Sequence, residues 1–412
     1  MADNKQNTNT NVPNLSFKRE QSETCFDSAE RVINQKQNVP NLRFPEFIEE
    51  WDQKSISDVA NVVGGGTPDT TIAEYWDGNI QWFTPSEIGK SKYISKSERK
   101  ITQSGLNNSS AKILPQGTIL LSTRATIGEC SIAMEECSTN QGFQSLISKS
   151  NYNSEFVYYL IQTKKKDLIR NACGSTFLEI SANEVRKIKC RVPQINEQDK
   201  ITQLLSLIDK RIATQNKIIE QLQSLIKGIR YIIYTQLDCE WIQLSNLVVK
   251  GLITLKRGNV IPKYEYSDEY CYPVYSSSTQ NGGLMGYFNT YMFDKSLISW
   301  SIDGGGNFFY RDKHKFNVTN VCGYLEADES KFDYRFISEL LIYQHSRMVF
   351  DYQTKAHPSV IEAMYYLPIL DLEKQQCYSK LFEHIYDKLD RETSLLNKYE
   401  EQKKFLLSNM FI

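Results

Sequence analysis

Apolar residues recur every three or four positions along one uninterrupted stretch in the middle of the chain. In EQDKITQLLSLIDKRIATQNKIIEQLQSLIKGIRYII (197–233), the positions Ile201, Leu205, Ile208, Ile212, Gln215, Ile219, Leu222, Ile226, Ile229 and Ile233 are separated by steps of 4 and 3 throughout. A strict 3.5-residue repeat with one polar member predicts a long helix whose narrow seam faces a partner helix. Displaced by 177 residues, the same positions read Tyr378, Phe382, Ile385, Leu389, Glu392, Leu396, Tyr399, Lys403, Leu406 and Met410. Only Glu392 and Lys403 are polar, and Glu392 falls where Gln215 does. The natural partner of each helix is therefore the other. An ordinary core hairpin or an intermolecular dimerisation coiled coil would show the same seam, but an echo within one chain favours pairing within the chain.

Around the helices the pattern changes to short apolar runs between turn signals, which predicts strands. Such runs fill EEWDQKSISDVANVVGGGTP, NIQWFTPSEIG, GTILLSTRATIGECSIAM and NQGFQSLIS. SEFVYYLIQTKKKDLIRNA (154–172) predicts a helix with Phe156, Tyr159, Leu160 and Thr163 on one face. Past residue 237 the same style returns. CEWIQLSNLVVKGLITLKRG echoes the stretch from Glu50-Trp51, SLISWSIDGGGNFFY echoes ILLSTRATIGECSIA, and Asn320 is aligned with Asn140. DYRFISELLIYQ stands where NSEFVYYLIQ stood, at separations of about 175 to 190 residues. The chain thus reads as a tandem duplication: leader 1–38, mixed domain 39–192, long helix 193–236, mixed domain 237–366, long helix 367–412. The expected class is α/β (α+β), with two similar mixed domains separated by a pair of long helices.

Roughly 130 residues between the helices exclude a tight hairpin. A two-fold relation between repeat units would set them antiparallel, as a rod of about 50–60 Å at 1.5 Å per residue. Gln215 and Glu392 are expected in neighbouring layers near its middle, fixing register. Lys403 interrupts the seam.

Composition narrows the class. The 412 residues are 40% hydrophobic and 24% charged, as in globular proteins, with net charge −1. Positive charge for a polyanion must therefore be local or supplied by partners. The leader is polar and reads as disordered. Its NVPNLSF at 11–17, repeated as NVPNLRF at 38–44, reads as a local duplication. Nine cysteines form no C-x-x-C, and four histidines are scattered, so no zinc site is expected and a reducing cytoplasm fits. MADNKQNTNT has no apolar core of a secretory signal, and no run of about 18 apolar residues predicts a membrane span.

Catalytic patterns are missing from the sequence. It has no P-P pair, hence no [DNS]-P-P-[YF] of amino-methyltransferases, and GKS at 89–91 has Thr84 where a phosphate-binding loop needs glycine. The glycine runs at 64–66 and 304–306 read as turns, and Pro68-Asp69 with Glu98-Arg99-Lys100 only imitates a nuclease pattern.

Ordered along the chain, GGGTP, IQWFT, ILPQGTILLSTRATIG, TNQGF and GSTFLEIS, then the helix entry Pro193 to Ile201, resemble the specificity subunit of Type I restriction-modification systems. The second half carries YPVYSSSTQNGGLMGY, KAHPSV where the first has GSTFLEI, and a degraded helix entry from Leu367-Pro368 to Gln376. Cys377 and Tyr378 depart from the usual Lys-Ile pair there. The resemblance implies two target recognition domains, each reading one half of a split duplex DNA site, with helices that set the spacing. It implies docking of two methyltransferase subunits that use S-adenosylmethionine, and motor-nuclease subunits that use ATP and Mg, with no cofactor and no chemistry on this chain. The alternative is a coiled-coil scaffold whose domains bind protein or carbohydrate.

DNA affinity needs cations near phosphates, and readout needs polar groups at base edges. Candidates in the first domain are Thr84, Ser86, Lys90, Lys92, Lys96, Arg99 and Lys100 in a basic region, and Arg124 before a glycine turn. Lys164 to Lys166 read as a solvated helix face. In the second domain they are Ser276, Ser277, Ser278, Gln280 and Asn281 in a polar loop, Arg311, Lys313 and Lys315 in a basic turn, and Lys355 with His357.

Overall fold

The computed structural model describes residues 38–174, 178–278, 280–303, 305–348 and 355–412. The leader up to residue 37, residues 175–177 of GSTFLEIS, Thr279 and Gly304 lie outside the described residues. Two compact units result: the chain up to Leu207 together with Lys403–Ile412, and Ile208–Gln402. Below, strands are numbered along the chain, as are helices of ten residues or more.

The first unit contains β1 (Asp52–Ser55), β2 (Ala60–Gly64), β3 (Trp76–Phe83), β4 (Tyr93–Ile94), β5 (Arg99–Ile101), β6 (Ile119–Leu121), β7 (Cys130–Ala133), β8 (Cys137–Thr139), β9 (Gln144–Ser148) and β10 (Lys189–Val192). One sheet has the order β2-β9-β6-β7-β4, a second β5-β3-β8, and β1 pairs with β10. The all-apolar run of β6 is fully buried, as expected of a strand covered on both faces. Helix α1 (Ser154–Thr163) is capped by Asn153, whose side chain accepts from the amides of Glu155 and Phe156. The helix expected over 154–172 breaks at Lys164, and a short helix Lys165–Arg170 follows. Helix α2 (Ile195–Gln236) begins in this unit.

In the second unit, β11 (Trp241–Gln243) pairs with β20 (Tyr366–Pro368). Strands β12 (Ile253–Arg257), β16 (Leu297–Ser301), β17 (Phe308–Arg311) and β19 (Cys322–Ala327) form a sheet of order β12-β19-β16-β17. Strands β13 (Tyr272–Tyr275), β14 (Leu284–Phe288), β15 (Phe293–Asp294) and β18 (Lys315–Val318) form another, β14-β13-β18-β15. Helix α3 (Tyr334–Ser346) and the long helix α4 (Leu372–Asn409) follow.

The duplication holds for the inner strands, while the edge strands β4 and β15 each belong to one domain only. β2-β9-β6-β7 matches β12-β19-β16-β17, and the parallel pair β3·β8 matches β13·β18. Asn140 N–H donates to the Phe83 carbonyl (3.1 Å), and Thr319 N–H to that of Tyr275 (2.9 Å). Thr319, not Asn320, therefore occupies the place of Asn140, a one-residue correction of the sequence alignment. Ser122 bridges Phe143 as Ser301 pairs with Cys322 in the second domain. Glycine survives where the chain passes against the parallel strands. A Cβ on Gly65 would fall 2.1 Å from the Asn140 carbonyl oxygen, and one on Gly258 2.0 Å from that of Val318.

The helix entries share one glutamine, Gln198 in the first and Gln375 in the second. Gln198 and Gln375 are each 1% exposed. Gln198 accepts from Asn153 N–H (3.0 Å) and donates to the Pro193 carbonyl (2.9 Å). Gln375 accepts from Asp333 N–H (3.0 Å) and donates to the carbonyls of Lys331 and Leu370 (both 2.8 Å). In each unit one buried amide thus ties the cap of a domain helix, α1 or α3, to the start of a long helix.

All twenty seam positions are buried or half-buried. In the second unit the helices run antiparallel, because rising numbers on α2 meet falling ones on α4: Arg211 with Tyr399, Gln215 with Glu392, and Arg230 with Tyr386. Gln215 Nε2 donates to the Glu392 carbonyl (3.1 Å) and to its carboxylate, so these residues face each other directly and not in neighbouring layers. In the first unit the end of α4 is bound by Phe411, stacked on Phe156 (5.3 Å) and edge-on to Trp51. The polar interruption at Lys403 sets its ammonium 5.9 Å from the Tyr159 ring centre, where its charge meets an aromatic face.

Candidate nucleic-acid interface

In the first domain, the turn after β3 presents the polar candidates. Thr84 N–H and Oγ1 both donate to the Glu87 carboxylate (2.6 and 2.7 Å), and Thr84 Oγ1 lies 3.0 Å from Ser86 Oγ. The other Glu87 oxygen accepts from Glu98 N–H (2.7 Å). One carboxylate therefore fixes the start of the basic region to its far end. Arg99 stands with its guanidinium 3.5 Å from the Trp76 ring centre, and Trp76 meets Trp82 edge-on. This stack holds the cation at the surface. Lys90, Lys96 and Lys100 are exposed, and among the described residues no carboxylate pairs with them or with Arg99. They are cations available to phosphates.

Lys92 belongs elsewhere, a correction to the sequence reading. Its side chain is 9% exposed and its ammonium bonds to the Glu155 carboxylate (2.6 Å), Tyr159 Oη (2.8 Å) and Ser206 Oγ (2.8 Å). Burial raises the Glu155 carboxyl, but the hydrogen bonds it accepts from Lys92, Ser206 and Tyr93, that of Lys92 foremost, outweigh this and hold it below the usual range. Lys92 braces α1 and the start of α2.

Arg124 is also engaged, in an ion pair with Glu179 (2.8 Å). The matched positions in the second domain are Asp303 and Lys355, again an ion pair (3.1 Å) with the charges exchanged. The match follows from Ile180 N–H bonding to Thr123 where Ala356 N–H bonds to Ile302. All four side chains are partly exposed, so each pair contributes no more than about 1 kcal/mol. Arg124 and Lys355 thus clamp a returning segment to a strand end and are not free cations. His357 opens the short helix Pro358–Met364.

The polar loop of the second domain follows β13, as Thr84 follows β3. Thr319 Oγ1 donates to Ser276 Oγ (3.0 Å), Ser301 Oγ to the Ser277 carbonyl (2.9 Å), and Ser278 Oγ accepts from Gln280 N–H (3.2 Å). Asn281, Gly282 and Gly283 all have positive φ. Lys313 is exposed and Lys315 lies 4.7 Å from the Tyr291 ring centre. Arg311 is a second correction: it is only 6% exposed and points between the two sheets, so the basic turn begins after it. Trp300 is core, its indole N–H donating to Ala356 O (2.7 Å).

Among the described residues, no group of three or more His, Cys, Asp or Glu side chains is arranged to hold a metal, and no helix is long and apolar enough to cross a membrane. Buried thiols are not nucleophiles here: burial pushes Cys130, Cys137 and Cys322 up to about 12.

The sequence model of the Type I restriction modification DNA specificity domain matches residues 48–224 and 246–401. Over 184 residues the chain is 41% identical to the Type I restriction enzyme MjaIX specificity subunit of Methanocaldococcus jannaschii, covering 42% of each. Over 175 residues it is 29% identical to the EcoR124I/EcoR124II specificity subunit of Escherichia coli, covering 41% of this chain and 43% of that one. These matches span less than half the length of the curated relatives. The fold is like that of the Type-I restriction-modification system S subunit from M. genitalium, with TM-score 0.61 at 18% identity over 91% of this chain and 99% of that one.

Proposed function

The chain belongs to the family of the Type I restriction-modification DNA specificity domain, and from that premise we propose that it is the sequence-reading subunit of such a complex. Each mixed domain reads one half of a bipartite, asymmetric duplex site. The helices set the distance between the halves and dock two methyltransferase subunits. The chain itself carries out no chemistry. S-adenosylmethionine belongs to the methyltransferases, and ATP with Mg to the motor-nuclease subunits.

The observation that carries this reading is a duplicated framework with divergent surfaces. The order of the inner strands and the buried glutamine ties are retained between the domains. The turns after the parallel strands are not: the first domain has Thr84-Pro85-Ser86-Glu87 beside four cations without a carboxylate partner among the described residues, and the second has Ser276-Ser277-Ser278 with a glycine turn. A shared scaffold with different polar loops suits two readers of different sequences. Exposed apolar side chains on the helices of the second unit, Leu225, Tyr231, Leu381 and Leu395, suit protein docking.

Binding of the full chain, co-purified with its methyltransferase, to duplex DNA across a salt series tests the reading. A reader loses affinity steeply as salt rises, whereas a protein- or carbohydrate-binding scaffold shows no retention on DNA.

A further inference from the structure

Arg311 is the sharpest chemical difference between the two domains. Its guanidinium lies 3.6 Å from the Tyr275 ring centre, and Nε donates to Ser299 Oγ (2.8 Å). Nη2 is buried without a hydrogen-bond partner, and among the described residues no carboxylate lies within ion-pair distance. Burial pushes the group down to about 10, so it remains a cation at neutral pH.

The fold does not require this charge. Register places Tyr275, Ser299 and Arg311 where the first domain has Phe83, Leu120 and Ala133. Those three pack in one apolar cluster. An unpaired buried cation is destabilising where an apolar set of similar volume would not be. Retaining it in one domain alone points to an anion that arrives from outside.

The way in is thin. Above the guanidinium lie Gly282 and Gly283, both with positive φ. A Cβ on Gly283 would come 3.4 Å from Nη2, and one on Gly282 3.9 Å from Nη1. The exposed Gly282 and the buried Gly283 cover the charge on this side, and glycine lets that backbone shift without removing a side chain from the core. The hydroxyl-bearing Ser276, Ser277 and Ser278 stand beside it.

We propose that Arg311 and the Gly282–Gly283 turn form a phosphodiester-binding site, where a backbone phosphate of DNA supplies the missing counter-charge. This rests on the reading of the second domain as a DNA reader. Binding shifts the turn, brings the phosphate oxygens to Nη1 and Nη2, and anchors the polar loop over its half-site. The contact positions the domain and carries no sequence information of its own.

The test uses the full chain co-purified with its methyltransferase, a duplex of about 30 base pairs without a selected sequence, and a salt series. Two variants are compared with the parent: Arg311→Leu, and the triple Tyr275→Phe, Ser299→Leu, Arg311→Ala, which installs the apolar set of the first domain and keeps the test valid should the single variant misfold. The expected result is a salt slope shallower by about 0.9, the loss of one phosphate contact, with the same fractional loss on duplexes of different sequence. An unchanged slope in the folded triple variant overturns the proposal, as does a changed base preference at unchanged slope, which would make Arg311 a base reader. A second arm follows the melting temperature with inorganic phosphate at fixed ionic strength. Stabilisation of the parent by phosphate with no change in the DNA slope would mean a free-anion site and overturn the phosphodiester assignment. If the parent shows no salt-dependent DNA binding, the DNA reading itself fails, and that outcome is distinct from an unchanged slope in a parent that binds.

Discussion

Replacing Gln375 with leucine should uncouple the second domain from its long helix. The amide is 1% exposed and serves three backbone groups: Asp333 N–H, Lys331 O and Leu370 O. Leucine fills a similar volume but takes this partner from all three part-buried groups. Each orphaned group costs about 1–3 kcal/mol, and the added apolar burial returns part of that. A net loss of about 3 kcal/mol follows, which for a unit of this size is roughly 6–12 °C in its melting transition. Gln198→Leu orphans two groups in the first unit, Asn153 N–H and Pro193 O, so its loss should be smaller, about 2 kcal/mol. Because two units need not melt together, native-state hydrogen exchange is the suitable assay. Gln375→Leu should speed exchange in α3 and the first turns of α4 while amides of α1 keep their protection. A loss under about 0.5 kcal/mol, or equal loss of protection in both units, would refute the tie.

Three further outcomes are expected. Lys92→Met should destabilise the first unit by about 1–3 kcal/mol in denaturant titration and leave the DNA salt slope unchanged, whereas Lys96→Ala with Lys100→Ala should do the reverse, lowering the slope by up to about 1.8. Ile212→Asp with Ile219→Asp places two carboxylates in the antiparallel seam, so co-purification with the methyltransferase should be lost; unchanged assembly contradicts the role given to the helices. Burial holds His345 below the usual histidine range, with Nδ1 2.7 Å from Tyr365 Oη. Its folded form binds a proton less readily than its unfolded form, so the second unit should lose stability as pH falls below about 6.5, and His345→Gln should flatten that dependence in thermal melts.

The helices were legible in the sequence because a 3.5-residue seam is a local signal repeated ten times, and the repeat at 177 residues named the partner. The repeat also showed which strand runs of the two halves correspond, but not their order in the sheets. What the sequence hid depends on partners far along the chain. Lys92 sits in a run of surface lysines, yet residues 63, 67 and 114 positions away draw it inward. Arg124 and Lys355 look like free cations until the fold brings Glu179 and Asp303 to them. Arg311 stands beside Lys313 in sequence, but strand alternation turns it into the core. The first helix entry and its degraded echo were visible in the sequence, while the role of Gln198 and Gln375 as ties required the positions of Asn153 and Asp333.

The most direct test of the account exchanges residues 39–192 for the first domain of another member of the family and maps methylation across the genome of cells carrying the hybrid and its methyltransferase. The account predicts that one half of the modified site changes while the other half and the gap between them stay fixed. A change in both halves, or in the gap, would contradict two independent readers held on a common pair of helices.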